Sequence, residues 1–446
     1  MNAWFRSRTR FERIFLIACG VLVPAEQVFK AICHATAYGD FNVHRDFGGR
    51  FLAGEALYAG DMCFNYMPVS AMGYAPLALF PTFLASLLRT TAALACLGLS
   101  LRWLGAMVGD RARAGSWRGL TFAAWAVLLT IQYIFRDLDD GGPHLIYLGL
   151  IVGSMACVRH RREGLAALGF GLVIALKMSP GLLLPFFAWK RQWRLAGLTA
   201  AATAAWIVLP AAWMGPSSWW AHQGQWNRLA FQVASDRFDT VRADNEIRVQ
   251  NQALKPAVAR FLVAYPSGHP LKVDHPADLA FLDLDPPTAN RMAGAAMLGV
   301  LALVAWWSRR PYSGPADPAW PVEMAALMIL MPLLSPVTWL QHLVFLIPAA
   351  FLIVAGHRAF RRLGGLGLAA IGAYAVFAVF LSRNVVGRTN SLVLLSYHTH
   401  TLAMLLLLGL LMANRPTASI GRASLPGPIG PRAATPARRE GVPSGN

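Results

Sequence analysis

Charge is the first thing this chain of 446 residues lacks. Asp, Glu, Lys and Arg make up only 14% of it, against about 25% in a soluble globular domain. Hydrophobic residues make up 56%, and the mean hydropathy is +0.45. A soluble domain is excluded, and a polytopic membrane protein is indicated. Cysteine is also scarce, with five residues and no metal-ligand spacing. Cys19, Cys96 and Cys157 fall in apolar segments, whereas Cys33 and Cys63 flank the first polar loop and either pair or stay free. The chain has no glycine-rich phosphate loop, no nucleophile elbow and no HExxH, so cytosolic nucleotide chemistry has no site. It shows no internal repeat, which weighs against transporters built by duplication. The first apolar segment lacks a small-residue cleavage site and is expected to stay as a helix.

Acidic residues are the scarcer sign, 22 against 40 basic ones, for a net charge of +18. That excess does not point to nucleic acid. The cations gather in short loops between apolar segments and in the C-terminal tail, the pattern of loops facing the cytoplasm. Residues 1–13 carry Arg6, Arg8, Arg10 and Arg13, which places the N-terminus inside. The hydropathy predicts an all-α polytopic body over residues 14–414 with about twelve transmembrane helices. Polar outer loops are expected at about 38–81 and 215–290, and residues 415–446 form a Pro-, Gly-, Ser- and Arg-rich tail with the composition of disorder. In the second loop acids and bases nearly balance, and its middle, 245–262, has amphipathic helical spacing. The positive excess is thus confined to the opposite face.

Residues 40–81 stand out, because a mere connector between membrane helices would be shorter and plainer. They carry Asp46, Glu55 and Asp61 among several aromatics and two arginines, Arg45 and Arg50. Asp46 follows Arg45 and sits four residues before Arg50. Such a carboxylate either accepts a proton from an attacking hydroxyl, the general-base role, or is a solvated loop aspartate. Lys177 lies where Lys177-Met178-Ser179-Pro180 breaks the apolar segment 164–189, which either crosses twice or re-enters. A lysine there either contacts a phosphate or snorkels to the interface. In Ser335-Pro336-Val337-Thr338-Trp339 with His342, a histidine and polar groups meet an outer helix end. The bland reading of that stretch is an interfacial Trp and a capping Ser. Arg383 and Arg388 fall on the same side and either bind an anionic headgroup or decorate the surface. Asp137, Asp139 and Asp140 form a compact acidic turn, read as solvated, with carboxylates that suit Mg²⁺ or Mn²⁺ as the alternative. In the first helix Glu26 and Lys30, one turn apart, either pair or face a polar interior.

Three stretches carry a resemblance. Asp46-Phe47 is followed by Gly54, Leu57-Tyr58, Phe64-Asn65-Tyr66-Met67-Pro68 and Tyr74-Ala75-Pro76-Leu77; then come Lys177-Met178-Ser179-Pro180 and Ser335-Pro336-Val337-Thr338-Trp339 with His342. In order and spacing they resemble glycosyltransferase family 87, the bacterial polyprenol-phosphate-mannose-dependent alpha-mannosyltransferases of the membrane C-type superfamily. The resemblance implies sugar transfer from a polyprenyl-phosphate donor to a glycan or glycolipid acceptor at the outer face of the bacterial cytoplasmic membrane. It implies inversion with Asp46 as base, and Lys177, His342, Arg383 and Arg388 on the donor phosphate. Arg45, Arg50, Tyr58, Tyr66, Ser335 and Trp339 are then expected to bind substrate, with no cofactor and no required metal. The chain departs from the family where Gly48, Gly49, Arg50 and Phe51 follow Asp46-Phe47 in place of tyrosines. Two other classes compete, a flippase or transporter of lipid-linked sugar and a surface-polysaccharide polymerase or ligase. The first would place ionisable groups mid-membrane on several helices. The second would carry a strongly basic outer loop.

Overall fold

The computed structural model describes residues 14, 18–33, 39–58, 66–108, 117–236, 250–264, 279–356 and 358–413. Among these, every regular element is helical. The expectations for the N-terminal arginines, Cys63, Asp61 and the C-terminal tail lie outside the described residues.

The chain enters through α1 (Val23–Cys33), with a π-helical turn at Ala18–Leu22 before it. The Glu26 and Lys30 side chains do pair, at 2.9 Å, and Lys30 also reaches Asp139 at 3.0 Å. Residues 40–81, so dense in polar groups, fold as two packed helices, α2 (Gly39–Ala53) and α3 (Pro68–Ala78). Phe41, His44, Phe47 and Phe51 recur at helical spacing and are buried. Phe41 packs with Ala31, Tyr74 and Ala85, and Phe47 with Phe51, Leu57, Ala71 and Ala75. The two helices touch backbone to backbone at Gly48, where an added Cβ would lie 2.7 Å from the carbonyl carbon of Tyr74.

That contact gives a prediction. Gly48→Ala should cost about 1–3 kcal/mol of stability, because neither backbone can yield. Gly49→Ala should not, since its Cβ would meet only Ala78 at 4.0 Å. Thermal unfolding in detergent checks it, and equal melting temperatures for the two variants would refute it.

The long apolar run predicts a helix, and α4 (Thr82–Val108) occupies it in full. Next come α5 (Trp117–Leu129), α6 (Ile131–Asp140) and α7 (His144–Arg159). The break at Lys177 appears as expected. The helix α8 (Glu163–Leu176) stops there, Lys177 is extended, and a 3₁₀ turn at Ser179–Leu182 leads into α9 (Leu183–Trp189). The two limbs lie side by side, with Phe170 against Phe187 at 5.0 Å between ring centres. Arg194, just past the second limb, reaches Glu163 at the start of the first, at 3.5 Å. Segment 163–190 is therefore a hairpin with Lys177 at its tip and both ends on one side.

The remaining helices are α10 (Trp193–Val208), α11 (Ala211–Met214), α12 (Pro216–Asp236), α13 (Leu254–Leu262) and α14 (Pro286–Trp307). After them come α15 (Trp320–Leu333), α16 (Ile347–Ala355), α17 (Arg358–Ala375), α18 (Arg383–Val386), α19 (Arg388–Ser396) and α20 (Thr399–Ala413). Asp285 caps α14 by accepting from the Thr288 amide at 3.0 Å. The amphipathic spacing expected at 245–262 is helical at Leu254–Leu262.

Among the described residues, three helices are long and apolar enough to cross a membrane: Thr82–Val108, Trp193–Met214 and Pro286–Trp307. Two bent pairs qualify if each is one span, Gly119–Leu129 with Ile131–Asp140 at 68° and Arg388–Ser396 with Thr399–Ala413 at 63°. The other apolar helices are shorter. Their regular α-helical geometry is interrupted at Lys177, at the 3₁₀ turn Leu340–Leu346 and at the π-helical turn Val376–Phe380. In a membrane body, broken helices are tolerated where they line a cavity or are buried in protein.

Candidate active site

The breaks at Lys177 and at the 3₁₀ turn Leu340–Leu346 border one cavity of about 1520 Å³. Of the residues expected to act, Lys177, His342, Arg383, Arg388, Tyr66, Ser335 and Trp339 line it. Three separate stretches of sequence thus converge on one space. Lys177 projects from the hairpin tip, held where Ser70 Oγ donates to the Leu176 carbonyl at 3.2 Å. His342 sits on the 3₁₀ turn, and the loop before it is stapled by Asn251. That side chain accepts from the Thr338 amide at 2.9 Å and donates to the Pro336 carbonyl at 3.1 Å. Gln252 extends the staple, donating to the Leu395 carbonyl at 2.9 Å at the end of α19. Arg383 and Arg388 stand exposed at the mouth, where Gly387, with φ of +82°, turns α18 into α19.

Four expected residues do not line the cavity. Asp46 is half exposed and ion-paired to Arg50 at 2.9 Å. Arg50 also lies over the Phe47 ring, and Arg45 donates to the Phe80 carbonyl at 2.8 Å. Tyr58 donates to the Tyr66 carbonyl at 2.7 Å. The Arg50 contacts lie within α2, Arg45 ties α2 to the turn after α3, and the tyrosines tie the two sides of the connection between the helices.

The carboxylate that α2 does turn to the cavity is Asp40. Asp46 lies six residues further on, about 240° around the helix, so the two cannot share a direction. Gln341 donates to Asp40 at 3.2 Å, which ties it to the neighbour of His342. Burial raises the Asp40 carboxyl above its ordinary range, with the Gln341 bond opposing the shift. One turn on, His44 also lines the cavity, stacked on Tyr74 at 4.7 Å and edge-on to Tyr66 at 4.9 Å. Burial, helped by the charge on Lys177, pushes its imidazole down to about 4, so it stays neutral near pH 7.

The acidic turn is not solvated as expected. Arg136 pairs with Asp140 at 2.7 Å, and both line the cavity with Asp139, but Asp137 is fully buried. The chain reverses at Gly141, with φ of +76°, and carries the Asp137 carboxylate to the start of α7. There it accepts from the His144 and Leu145 amides at 3.2 and 3.0 Å. An anion at a helix N-terminus is well placed. Sequence reasoning passed over His144, which faces the cavity beside Lys177. Its signal was a Gly-Gly-Pro-His reversal seven residues after an aspartate. Among the described residues, no group of three or more His, Cys, Asp or Glu is arranged to hold a metal ion.

The profile of Glycosyltransferase family 87 matches residues 64–336, more than half of the chain. The chain belongs to glycosyltransferase family 87. It is a membrane glycosyltransferase. Two curated relatives share the name polyprenol-phosphate-mannose-dependent alpha-(1-2)-phosphatidylinositol mannoside mannosyltransferase. The one from Mycolicibacterium smegmatis is 25% identical over 351 residues, covering 72% of this chain and 70% of its own. The one from Mycobacterium tuberculosis is 24% identical over 336 residues, covering 70% and 69%. No solved structure matches the chain.

Proposed function

We propose that this glycosyltransferase moves a mannosyl group from polyprenyl-phosphate mannose to a hydroxyl of a glycolipid acceptor. The reaction runs with inversion at the outer face of the bacterial cytoplasmic membrane, in a twelve-span body of the C-type architecture. The observation that carries this reading is a single cavity shared by Asp40, a lining carboxylate with no ion-pair partner among the described residues, and three cations suited to a phosphate, Lys177, Arg383 and Arg388, with His342 beside Lys177. The names of the two relatives supply the donor, the sugar and, as the nearest model for an acceptor, a phosphatidylinositol mannoside.

The step needs little else. Asp40 takes the proton of the acceptor hydroxyl as its oxygen attacks the anomeric carbon. The carbon–oxygen bond to phosphate breaks on the opposite face, and polyprenyl phosphate leaves with the bonding pair. Lys177 and the arginines meet the charge that grows on the leaving oxygen. Because those cations stand where charge develops, the transfer proceeds without a metal. Orientation is supported by the arginine-rich turns at Arg159, Arg161, Arg162 and Arg191, at the ends of the hairpin and its neighbour remote from Lys177. Such turns face the cytoplasm, which turns the cavity outward.

The test is transfer by membranes containing the protein, supplied with radiolabelled polyprenyl-phosphate mannose and lipid acceptors. Label should pass to lipid, should be unaffected by EDTA, and should be lost in Lys177→Met. Direct transfer from a nucleotide sugar at an equal rate, in membranes freed of lipid carrier, would overturn the donor assignment.

A further inference from the structure

Lys177 has an unusual setting for a half-buried cation. Its ammonium lies 3.2 Å from His144 Nε2 and 3.3 Å from His342 Nε2. Among the described residues no carboxylate comes within ion-pair distance of it. The two imidazoles stand close, 4.5 Å between ring centres. An ammonium is only a donor, so each nitrogen facing it must be an unprotonated acceptor.

What fixes that state in His144 is Asp137. Its carboxylate lies 2.8 Å from His144 Nδ1, and both side chains are buried. A carboxylate there holds the ring proton on Nδ1 and leaves Nε2 to accept from the lysine. The arrangement is built for this contact. At Gly142 a Cβ would lie 2.3 Å from Asp137 Oδ1 and 3.0 Å from His144 Nδ1, so any other residue would wedge the pair apart. Arg89, itself buried, clasps the same reversal by donating to the Leu138 carbonyl at 3.0 Å and to the Gly142 carbonyl at 3.5 Å. On its other side, His342 Nδ1 lies 3.3 Å from the Trp339 amide nitrogen.

We propose that Asp137 and His144 are positioning residues for the donor phosphate, acting through Lys177. Neutral imidazoles hold the ammonium without cancelling its charge, so its remaining N–H and full charge are kept for the phosphate. A carboxylate in direct contact would compete with the phosphate for that charge. Asp137 orients the system from one residue further back, with its oxygens committed to His144 and the start of α7. This inference rests on the reading of Lys177 as a phosphate ligand.

The test uses the full-length protein in nanodiscs, with polyprenyl-phosphate mannose as donor and polyprenyl monophosphate as product inhibitor. His144→Leu removes the acceptor, and Asp137→Asn turns an N–H toward one of the three donors now satisfied. Both should lower kcat by roughly 10–100-fold, the range seen when a ligand-orienting partner is lost. Inhibition by polyprenyl monophosphate should weaken in parallel, while the acceptor KM stays within about two-fold, a split that general loosening of the fold would not give. In His144→Gln the amide oxygen reaches toward the place of Nε2 and can accept from the lysine, so much of the rate should return. Wild-type kcat in His144→Leu, with Lys177→Met inactive, overturns the positioning role and leaves the phosphate reading intact. Equal loss in His144→Gln and His144→Leu, at equal folded protein by size exclusion, also overturns it. Wild-type activity in Lys177→Met sinks the phosphate reading itself.

Discussion

Asp40→Asn is expected to slow transfer by about 10²–10⁴-fold, the range for removing a general base, while Asp46→Asn stays near the wild-type rate. Asparagine is isosteric and can still accept from Gln341, so the cavity wall should survive and only the proton acceptor is lost. Asp46 offers a control on the same helix. It is 49% exposed and engaged with Arg50. An exposed pair at that spacing is worth about 0.3–0.5 kcal/mol, too little to alter the fold. Initial rates at matched protein levels decide between the two. If Asp46→Asn is the inactive variant, the cavity wall does not contain the base. The pH profile carries a second reading. Burial raises the Asp40 carboxyl, and a base works only when ionised. The rate should therefore fall as pH drops through that raised value, on a limb nearer neutrality than a free aspartate would give. Asp40→Asn should lose that limb.

Lys190→Met is expected to destabilise the protein by about 3–5 kcal/mol, the cost of removing one partner of a buried ion pair. Lys190 follows α9, at the end of the hairpin away from Lys177. It meets Glu323 at 2.6 Å, with side chains 1% and 0% exposed. It also donates to the Ser308 carbonyl at 3.0 Å and to that of Arg310, and its own carbonyl accepts from the Tyr312 amide at 3.1 Å. One residue thus joins the hairpin to the end of α14 and the start of α15. Without the ammonium, Glu323 loses its ion-pair partner while staying buried. Replacing both partners, Lys190→Met with Glu323→Leu, should recover much of the loss, since buried pairs repay their desolvation only in part. Thermal unfolding in detergent measures both. A single variant that melts with the wild type would refute the clamp, and a double variant worse than the single would refute the charge argument.

Much of this organisation was legible in the sequence, for identifiable reasons. The run 82–108 holds no proline and only two charged residues, Arg89 and Arg102, so its helix had no competitor. Proline after Lys177-Met178-Ser179 forbids a continued helix, so the break and its lysine could be read directly. The choice between Asp40 and Asp46 could not. Each is followed by a phenylalanine, Phe41 and Phe47, and both rings are fully buried. The two dipeptides are equivalent as text. They differ in partners, since Phe41 packs on α1 and α4 while Phe47 packs on α3, and that roll of the helix turns Asp40 to the cavity. Asp137 was hidden for another reason. Beside Asp139 and Asp140 it looks like one more solvated charge. Only the reversal at Gly141 and Gly142 shows it passing inward to cap the next helix. The count of spans was obscured by the same breaks that build the site.

Those breaks give the body an uneven apolar height. At about 1.5 Å per residue the 27 residues of α4 reach some 40 Å, and the 14 of α8 about 21 Å. A bilayer core is about 30 Å thick. Lipid beside α4 must thicken or the helix must tilt. The hairpin limb is about 9 Å shorter than the core is thick, and both hairpin ends lie on one side, so its tip stops within the depth of the bilayer. On the proposed reading, a carrier lipid's phosphate has to sink below headgroup level to meet Lys177.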